Sequence, residues 1–479
     1  MFSIREEQGM STSIPIAGSA DLPGRATVRE RVRAAPGPAG LPLVGSALAI
    51  GQQGILPFLV AAHRRYGDLV GFRIGPQSAH LVVEPALIEQ VLGARRESYV
   101  KGRDWDTMRL LTGNGLLTSD GAHWQRQRRL LQPFFTAKAV ATHAHEMTCV
   151  AAETAERWTA AAVAGQSLEL HEEMLGLALD VLGRTLFGVR FSDQAQSVGH
   201  AVHEAIRFVA QRTRQLLPPP LWLPTPGNRR FLAAKATLVR FIRDRICSHG
   251  DGAHDTPAML AALQQAQDPV TGQRMSDAEL IDELITLVIA GHETSAVALT
   301  WTLCLLGRNP EAEAQLQREL DAVLAGRLPT LADVPALTYT RRVLDEALRL
   351  YPTAWVFPRT CLRDERLGDC HIPQGSMILV CPYLTHRLPE YFPQPERFLP
   401  DRFGSEDAPA RPRHAYLPFG AGPHTCIGQH FAMQELVLSL ATLAQRIHLR
   451  LHSSRLPPMD AESTLRPGAP VYATPLLRR

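Results

Sequence analysis

The chain has 479 residues, of which 45% are hydrophobic and 20% charged, a composition typical of globular proteins. Its formal net charge is +3 and it contains no run of five like charges, which argues against a nucleic-acid-binding protein. Its seven cysteines are odd in number and lack a C-x-x-C pair, so a disulfide framework, a zinc ribbon and covalent haem attachment are excluded.

The first 35 residues mix arginine with acidic and small residues, and we predict a flexible N-terminal extension there. They contain neither an 18-residue apolar run nor the apolar core of a signal peptide, so no membrane anchor and a cytoplasmic location are expected. The stretch PGPAGLPLVG, residues 36–45, is rich in proline and glycine and indicates a stiff segment with turns. We expect one folded domain to begin there and to cover residues 36–479.

The body of the chain is predicted to be mainly helical with small sheets. Strand patterns occupy 69–74 and 79–84, and the pattern from about 120 to 350 is mostly helical. Residues 352–425 are irregular and rich in proline, with short strands such as SMILVCP at 376–382. A last helix is predicted over 427–447, so the fold class is α+β with helix dominant.

The clearest helix is predicted over 277–308. Ser276 and Glu279 form an S-x-x-E capping box, and Asn309-Pro310 ends the helix. Its second half is nearly all apolar and is expected to cross the interior. Its centre nevertheless reads AGHETS, residues 290–295, which indicates either a solvent-facing polar turn or, as the apolar flanks favour, an inward-facing site.

The stretch FGAGPHTCIG, residues 419–428, places one cysteine among three glycines just before the last helix. The first-turn N–H groups and the helix dipole would favour a thiolate at Cys426. Gly420, Gly422 and Gly428 would let the backbone approach a flat partner. Cys426 is therefore either a buried structural cysteine in a turn or a thiolate ligand of haem iron.

The chain resembles the cytochrome P-450 superfamily of haem-thiolate mono-oxygenases from about residue 36 to the end. Four motifs carry the resemblance: the cysteine loop, AGHETS, EALR at 346–349 and PERF at 395–398. The resemblance implies a helix-rich lobe and a smaller β-rich lobe, with non-covalent haem b between the long helix and the cysteine-loop helix. It implies that Cys426 is the axial ligand. It also implies that Glu346, Arg349 and Arg397 form a buried network that holds the cysteine-loop region.

The resemblance also implies which side chains surround the haem. Trp124 and Arg128 in WQRQR, with Arg359 in FPRT, match the family's propionate-binding residues, and arginine suits carboxylates because its donors form a planar fork. His424 replaces the more common arginine two residues before the cysteine, so its expected contact is a single hydrogen bond. The haem-binding site would also include Phe419, Gly420 and Gly428.

The implied reaction is activation of O₂ with two electrons, followed by hydroxylation or epoxidation of a hydrophobic terpenoid, fatty acid or steroid. Thr294 would stabilise the activated dioxygen through its hydroxyl group, and Glu293 would serve the proton relay. The resemblance places these residues around the substrate: Trp105, Met108, Leu111, Val288, Ala290, Trp355, Val356 and Phe357. For each of them, ordinary core packing is the alternative.

No fused reductase domain is expected after residue 450, so electrons would come from a separate ferredoxin or flavodoxin with its NAD(P)H-dependent reductase. We expect a monomer that docks this partner on the face nearest Cys426. The arginines expected to attract an acidic partner there are Arg126, Arg128, Arg129, Arg411 and Arg413. A haem sensor or carrier without oxygenase activity is an alternative that Glu293 and Thr294 argue against. A peroxygenase or isomerase on the same fold is another, although such members usually lack the threonine.

Overall fold

A computed structural model describes residues 33–102, 105–190, 196–213, 215, 218–248, 259–404 and 411–478 of the chain. Its α-helices are α1 Ala47–Gln53, α2 Ile55–Tyr66, α3 Pro85–Glu89, α4 Asp106–Thr112, α5 Gly121–Leu131, α6 Ala137–Ala141, α7 Ala144–Ala164, α8 Leu170–Leu182, α9 Gln196–Thr213, α10 Pro226–Ser248, α11 Met259–Gln265, α12 Asp277–Leu306, α13 Pro310–Leu324, α14 Thr338–Leu350, α15 Pro382–Thr385 and α16 Gln429–Arg446.

The strands are short and form four small sheets. They are β1 Arg33–Ala34, β2 Leu69–Ile74, β3 Gln77–Val82, β4 Tyr99–Val100, β5 Leu168–Glu169, β6 Phe357–Cys361, β7 Glu365–Leu367, β8 Cys370–Ile372, β9 Met377–Val380, β10 Ile447–Leu451, β11 Met459–Ala461, β12 Leu465–Pro467 and β13 Tyr472–Leu477. The largest sheet has the order β2-β3-β9-β6-β4, and β3 pairs with β9 in parallel. The remaining sheets have the orders β10-β13-β5, β1-β8-β7 and β11-β12.

The buried apolar side chains divide into one large cluster and two smaller ones. The large cluster fills the space between α5, α7–α10, α12–α14 and α16. The two smaller clusters lie against the five-stranded sheet, one under α2 and the other under α3. The predicted arrangement of a helix-rich lobe and a smaller β-rich lobe is therefore confirmed.

Helix α12 runs through the core of the large lobe. It begins at the predicted capping box, in which the Ser276 hydroxyl accepts from the Glu279 N–H and the Glu279 carboxylate accepts from the Ser276 N–H. It packs against α8, and the Ser295 hydroxyl donates to the Glu435 carboxylate of α16 at 2.6 Å. Among the described residues it is the one helix long and apolar enough to span a membrane, but 83% of its most apolar window is buried inside the protein, as in a core helix.

The observed boundaries differ slightly from those predicted. The predicted strand 79–84 is the strand 77–82, and the last helix is 429–446 rather than 427–447. Of the predicted extension 1–35, residues 1–32 lie outside the described part of the chain. Arg33 and Ala34 belong to strand β1, which pairs with β8, so the prediction of a loose segment was wrong at its last residues.

Candidate active site

The cysteine loop is closed by main-chain hydrogen bonds. The Cys426 N–H donates to the Phe419 carbonyl at 2.8 Å, and the Gly420 N–H donates to the Leu417 carbonyl at 3.1 Å. Gly420 and Gly422 have φ values of 71° and 69°, a region that side-chain-bearing residues rarely adopt. A Cβ on Gly422 would lie 1.9 Å from the carbonyl oxygen of Leu92. Close packing of the loop against the turn after α3 therefore requires this glycine.

The Cys426 thiol lies just before the first turn of α16. Burial raises the pKa of this thiol, and the Gly428 N–H and the Arg128 guanidinium oppose the increase. The side chain is nevertheless accessible to solvent. The thiol is therefore reachable from solvent at the start of α16.

A second accessible surface lies on the middle of α12. Between Glu283 and Leu306 every residue of the helix is buried except Ala290, Gly291 and Thr294, which are partly accessible. The Thr294 hydroxyl donates to the Ala290 carbonyl at 2.6 Å. The next residue, Ser295, is bonded to α16, so the middle of α12 packs against the helix that follows the cysteine.

Glu293 is adjacent to Thr294 in sequence but points in a different direction. Its carboxylate is buried, accepts from the Thr464 hydroxyl at 2.9 Å and lies 3.8 Å from the Arg466 guanidinium. Burial raises its pKa, which the Thr464 hydrogen bond partly opposes. The side chain borders a polar cavity of about 590 Å³ between α8, α9, α12 and the segment 466–472.

Two arginines near the cysteine lack acidic partners. The Arg128 guanidinium donates to the Thr425 carbonyl at 2.9 Å, and the Arg359 guanidinium donates to the Pro358 carbonyl at 2.8 Å. Within the described parts of the chain, neither has a carboxylate within 4.0 Å. Burial lowers the pKa of both, and Arg359 is only 9% exposed. Buried cations are normally paired, so this site calls for an anionic group.

Aromatic and polar groups lie beside these arginines. The Trp124 and His424 rings are 4.0 Å apart, and Nδ1 of His424 is buried with no hydrogen-bond partner in the described structure. Burial, followed by the charges of Lys101 and Arg359, lowers the pKa of His424 to about 4, so the ring is neutral at pH 7. An accessible cysteine thiol, a ring nitrogen without a hydrogen-bond partner and two arginines without carboxylate partners fit haem with its two propionates.

The sequence reasoning missed Lys101. Its ammonium group donates to the carbonyls of Leu116 and Ser119 at 2.9 and 3.1 Å and lies 6.0 Å from the centre of the Trp124 ring. Burial lowers its pKa to about 7. No local pattern marks this lysine, because its partners become neighbours only when the 113–120 segment folds back over it.

The predicted structural network is present but has a different third member. Glu346 and Arg349 are fully buried and joined by two hydrogen bonds of 2.8 and 2.7 Å. The Arg397 side chain is exposed and donates to Gln394, so its predicted place was wrong; only its carbonyl accepts from Arg349. Arg402, which is 8% exposed, donates to Glu346 at 2.9 Å instead.

His386 connects this network to the cysteine loop. Its carbonyl accepts from Arg349 at 3.0 Å, and its ring Nε2 accepts from the Leu417 N–H at 2.7 Å. The Leu417 carbonyl in turn accepts from Gly420. Hydrogen bonds therefore run from the buried ion pair to the loop that holds Cys426, which is the role that the resemblance implied for Glu346 and Arg349.

The predicted substrate-lining residues fall into two groups. Leu111, Val288 and Trp355 are 0%, 5% and 2% exposed and belong to the packed cores, so the structure does not place them on an accessible surface. The partly accessible members are Trp105, Met108, Ala290, Val356 and Phe357. For the buried members, the proposed contact with the substrate stays a prediction, because a helical or strand position does not reveal which face meets the substrate.

The predicted docking arginines are mostly engaged in contacts. Arg126 pairs with Glu279 at 2.7 Å, and Arg129 forms two hydrogen bonds with the buried carboxylate of Asp268. Arg411 donates to a main-chain carbonyl and lies over aromatic rings. Arg128 contacts the cysteine loop, and Arg413 is the exposed member of the five, so the docking patch stays a prediction.

The family model described as Cytochrome P450 matches residues 35–473. Cyclooctatin synthase of Streptomyces melanosporofaciens is 42% identical over 421 residues, which cover 86% of this chain and 89% of that protein. Cyclooctat-9-en-7-ol 5-monooxygenase of the same organism is 38% identical over 417 residues, again 86% and 89%. Pentalenene oxygenase of Streptomyces avermitilis is 35% identical over 408 residues, 85% and 89%. The protein is thus an oxidoreductase that uses haem b, and it belongs to the cytochrome P450 family of haem-thiolate mono-oxygenases.

Proposed function

We propose that this enzyme hydroxylates a terpenoid and that Cys426 is the axial ligand of its haem. The observation that supports the ligand most strongly is the accessible Cys426 thiol, which lies at the start of α16 near the Arg128 guanidinium. Terpenoid-modifying mono-oxygenases are among the most similar relatives, which favours a terpenoid over a fatty acid or a steroid.

In this proposal the polypeptide binds and orients the cofactor. Haem, when bound, supplies the one-electron and O₂ chemistry. Arg128 and Arg359 would hold its propionates, with His424 Nδ1 as a further donor where its tautomer carries the proton. The Gly428 N–H and the nearby Arg128 charge would stabilise the thiolate form of Cys426.

The proposed proton-handling residues are Thr294 and Glu293. Thr294 presents its hydroxyl on the accessible face of α12, where it can hold a proton beside the reacting site. Glu293 faces the polar cavity on the other side, and burial makes its carboxyl easier to protonate than an exposed one. Glu293 is thus placed to take protons from solvent, and the Thr294 hydroxyl is placed to hold a proton at the reacting site.

We also propose that the substrate space is bounded by apolar groups that exclude bulk water. Ala290 lies on the same helical face as Thr294, one turn away. Met108 on α4 and Phe357 at the start of β6 are partly accessible and apolar. The binding free energy of a hydrocarbon among such groups becomes more favourable in proportion to the apolar area removed from water.

Electrons would arrive from a separate ferredoxin or flavodoxin in the cytoplasm, and the enzyme would act as a monomer. Reduction by a bacterial ferredoxin should slow as salt increases. Arg413→Glu alters the exposed arginine on the approach to the cysteine loop. At low salt this variant should be reduced more slowly than the wild type. Arg240→Glu on α10 serves as the control. A rate indifferent to both salt and Arg413→Glu would place docking elsewhere.

The substrate class can be tested by spectral titration. Cyclic terpene hydrocarbons and their alcohols, fatty acids and steroids are added separately to the purified enzyme. Terpenoids should displace axial water and shift the haem to high spin at lower concentrations than the other two classes. A product with one added oxygen should then form with NAD(P)H and redox partners. Tighter binding and turnover of a fatty acid or a steroid would contradict the terpenoid assignment.

A further inference from the structure

The first turns of α12 carry three carboxylates on one face. Glu279, Asp282 and Glu283 are spaced i, i+3 and i+4, which brings them side by side on a helix. Glu279 pairs with Arg126 of α5 at 2.7 Å. The other two bind main chain rather than side chains, and both of their targets lie in the turn between α4 and α5.

Asp282 and Glu283 each accept one backbone N–H from that turn. The Asn114 N–H donates to Asp282 Oδ2 at 2.9 Å, and the Leu116 N–H donates to Glu283 Oε2 at 3.0 Å. Glu283 is fully buried, and Asp282 is partly accessible. The segment Gly113–Leu116, termed here the latch turn, is therefore fastened to α12 at two alternate amides.

The glycines of the latch turn permit this contact. Gly113 has a φ of 56°, and a Cβ there would lie 2.1 Å from the Asp282 carboxylate. A Cβ on Gly115 would lie 2.2 Å from the Thr286 hydroxyl oxygen. The backbone thus rests directly on the helix surface, and a side chain at Gly115 would force the turn away from it.

The latch turn rests on the same face of α12 as two residues of the proposed substrate site. Thr286, against which Gly115 packs, lies one turn before Ala290 and two turns before Thr294, on the same helical face. The turn also follows directly after α4, which holds Met108. Lys235 of α10 donates to the Leu110 carbonyl at 2.7 Å, so α4 is anchored from the opposite side as well.

We propose that Asp282 and Glu283 are positioning residues that hold the latch turn on α12 and thereby fix the α4 wall of the substrate cavity. The proposal rests on the function proposed above, because it takes Met108 and Ala290 to border the substrate. Their carboxylates act only on backbone amides and do not touch the reacting atoms.

The variants distinguish loss of the hydrogen-bond acceptor at positions 282 and 283 from changes in side-chain size and charge. Asp282→Ala and Glu283→Leu remove the acceptors, whereas Glu283→Gln retains an oxygen at the same distance along the side chain. Burial raises the pKa of Glu283 to about 8, so at neutral pH glutamine resembles its protonated form. Asp277→Ala, an exposed acid in the first turn of the same helix, is the control. Gly115→Ala displaces the turn without changing either acid and tests the latch if Glu283→Leu does not fold.

The first measurement is hydrogen–deuterium exchange of the 106–120 segment, which does not depend on activity. Exchange at Asn114 and Leu116 should accelerate by about fivefold or more in Asp282→Ala, Glu283→Leu and Gly115→Ala. Glu283→Gln and Asp277→Ala should match the wild type. Unchanged exchange in the acceptor variants, or equally fast exchange in Glu283→Gln, would overturn the proposal.

The second measurement uses 4-phenylimidazole, whose ring must fit the cavity when its nitrogen binds the haem iron. Its dissociation, followed by stopped-flow absorbance, should be about fivefold or more faster in the acceptor variants and restored by Glu283→Gln. Faster amide exchange with unaltered azole kinetics would overturn the link to the cavity wall. If the wild type showed no thiolate-ligated haem while the exchange results held, the proposed ligand would fail and the latch would stand.

Discussion

At the scale of single residues, the site is defined by buried positive charge without matching acids. Arg128 and Arg359 are held near the cysteine loop by carbonyl groups, and burial disfavours the charged form of each. Asp120 is the carboxylate that contributes to the electrostatics of Arg359. Two arginines without carboxylate partners favour an anionic ligand at this site, and the haem propionates would supply that charge.

Removing either arginine should therefore weaken haem retention. Arg128→Leu and Arg359→Leu are each expected to lower haem affinity by roughly tenfold or more, the usual effect of losing a hydrogen bond to a charged group. Arg363→Leu, an exposed position four residues beyond Arg359, is the matched control. The measurement is the rate of haem loss to excess apomyoglobin. Rates equal to the control in both variants would remove these residues from the cofactor site.

Thr294 differs from Thr302, also on α12, in its surroundings rather than in its local hydrogen bond. Thr302 also donates to the carbonyl four residues earlier, at 2.7 Å, but is fully buried. Thr294→Val should retain haem and substrate binding and release peroxide in place of product, because the accessible hydroxyl is lost. Thr302→Val should keep wild-type coupling. The ratio of product formed to NAD(P)H consumed measures this, and equal ratios in both variants would contradict the role of Thr294.

At the scale of elements, the Glu346–Arg349 pair joins α14 to the chain before the cysteine loop. Arg349 donates to the carbonyls of His386, Pro395 and Arg397, and Glu346 accepts from Arg402 and from the Leu399 N–H. A buried pair with so many additional hydrogen bonds avoids the unpaired-charge penalty. Hydrogen bonds continue from this pair through His386 to the Leu417 amide at the start of the cysteine loop.

Arg402 and Arg397 offer a direct comparison. Arg402→Ala should lower the free energy of unfolding by about 1–3 kcal/mol, because the buried Glu346 carboxylate loses a charged donor. Arg397→Ala should change it by less than about 0.5 kcal/mol, since that side chain is exposed. Denaturant unfolding of the holoprotein measures both. A larger loss in Arg397→Ala than in Arg402→Ala would contradict the assignment of Arg402 as the third member of the network.

Elements with local signals could be predicted from the sequence. The start of α12 follows from Ser276 and Glu279, since a capping box acts within four residues. The third member of the ion-pair network could not be predicted, because Arg397 and Arg402 are both arginines in an irregular segment. Only the path of residues 393–402 determines which of the two approaches Glu346.

At the scale of the whole molecule, the site lies where the helical lobe meets the sheets. Arg128 comes from α5, Arg359 from β6 and Cys426 from the loop before α16, and their convergence depends on the whole fold. Motif spacing indicated the type of site, whereas the orientation of Val288 and Trp355 toward packed cores depends on helix and strand packing. Lys101 and His386 were missed for the same reason: their partners are distant in sequence.

Carbon monoxide binding tests the central claim, that the Cys426 thiolate holds the haem. The reduced wild-type protein should give the strongly red-shifted CO difference band of thiolate ligation. Cys426→Ala should lose this band, and Cys247→Ala, which alters an exposed cysteine of α10, should keep it. An unchanged band in Cys426→Ala would contradict the account, because no haem-thiolate chemistry could then be assigned to this loop.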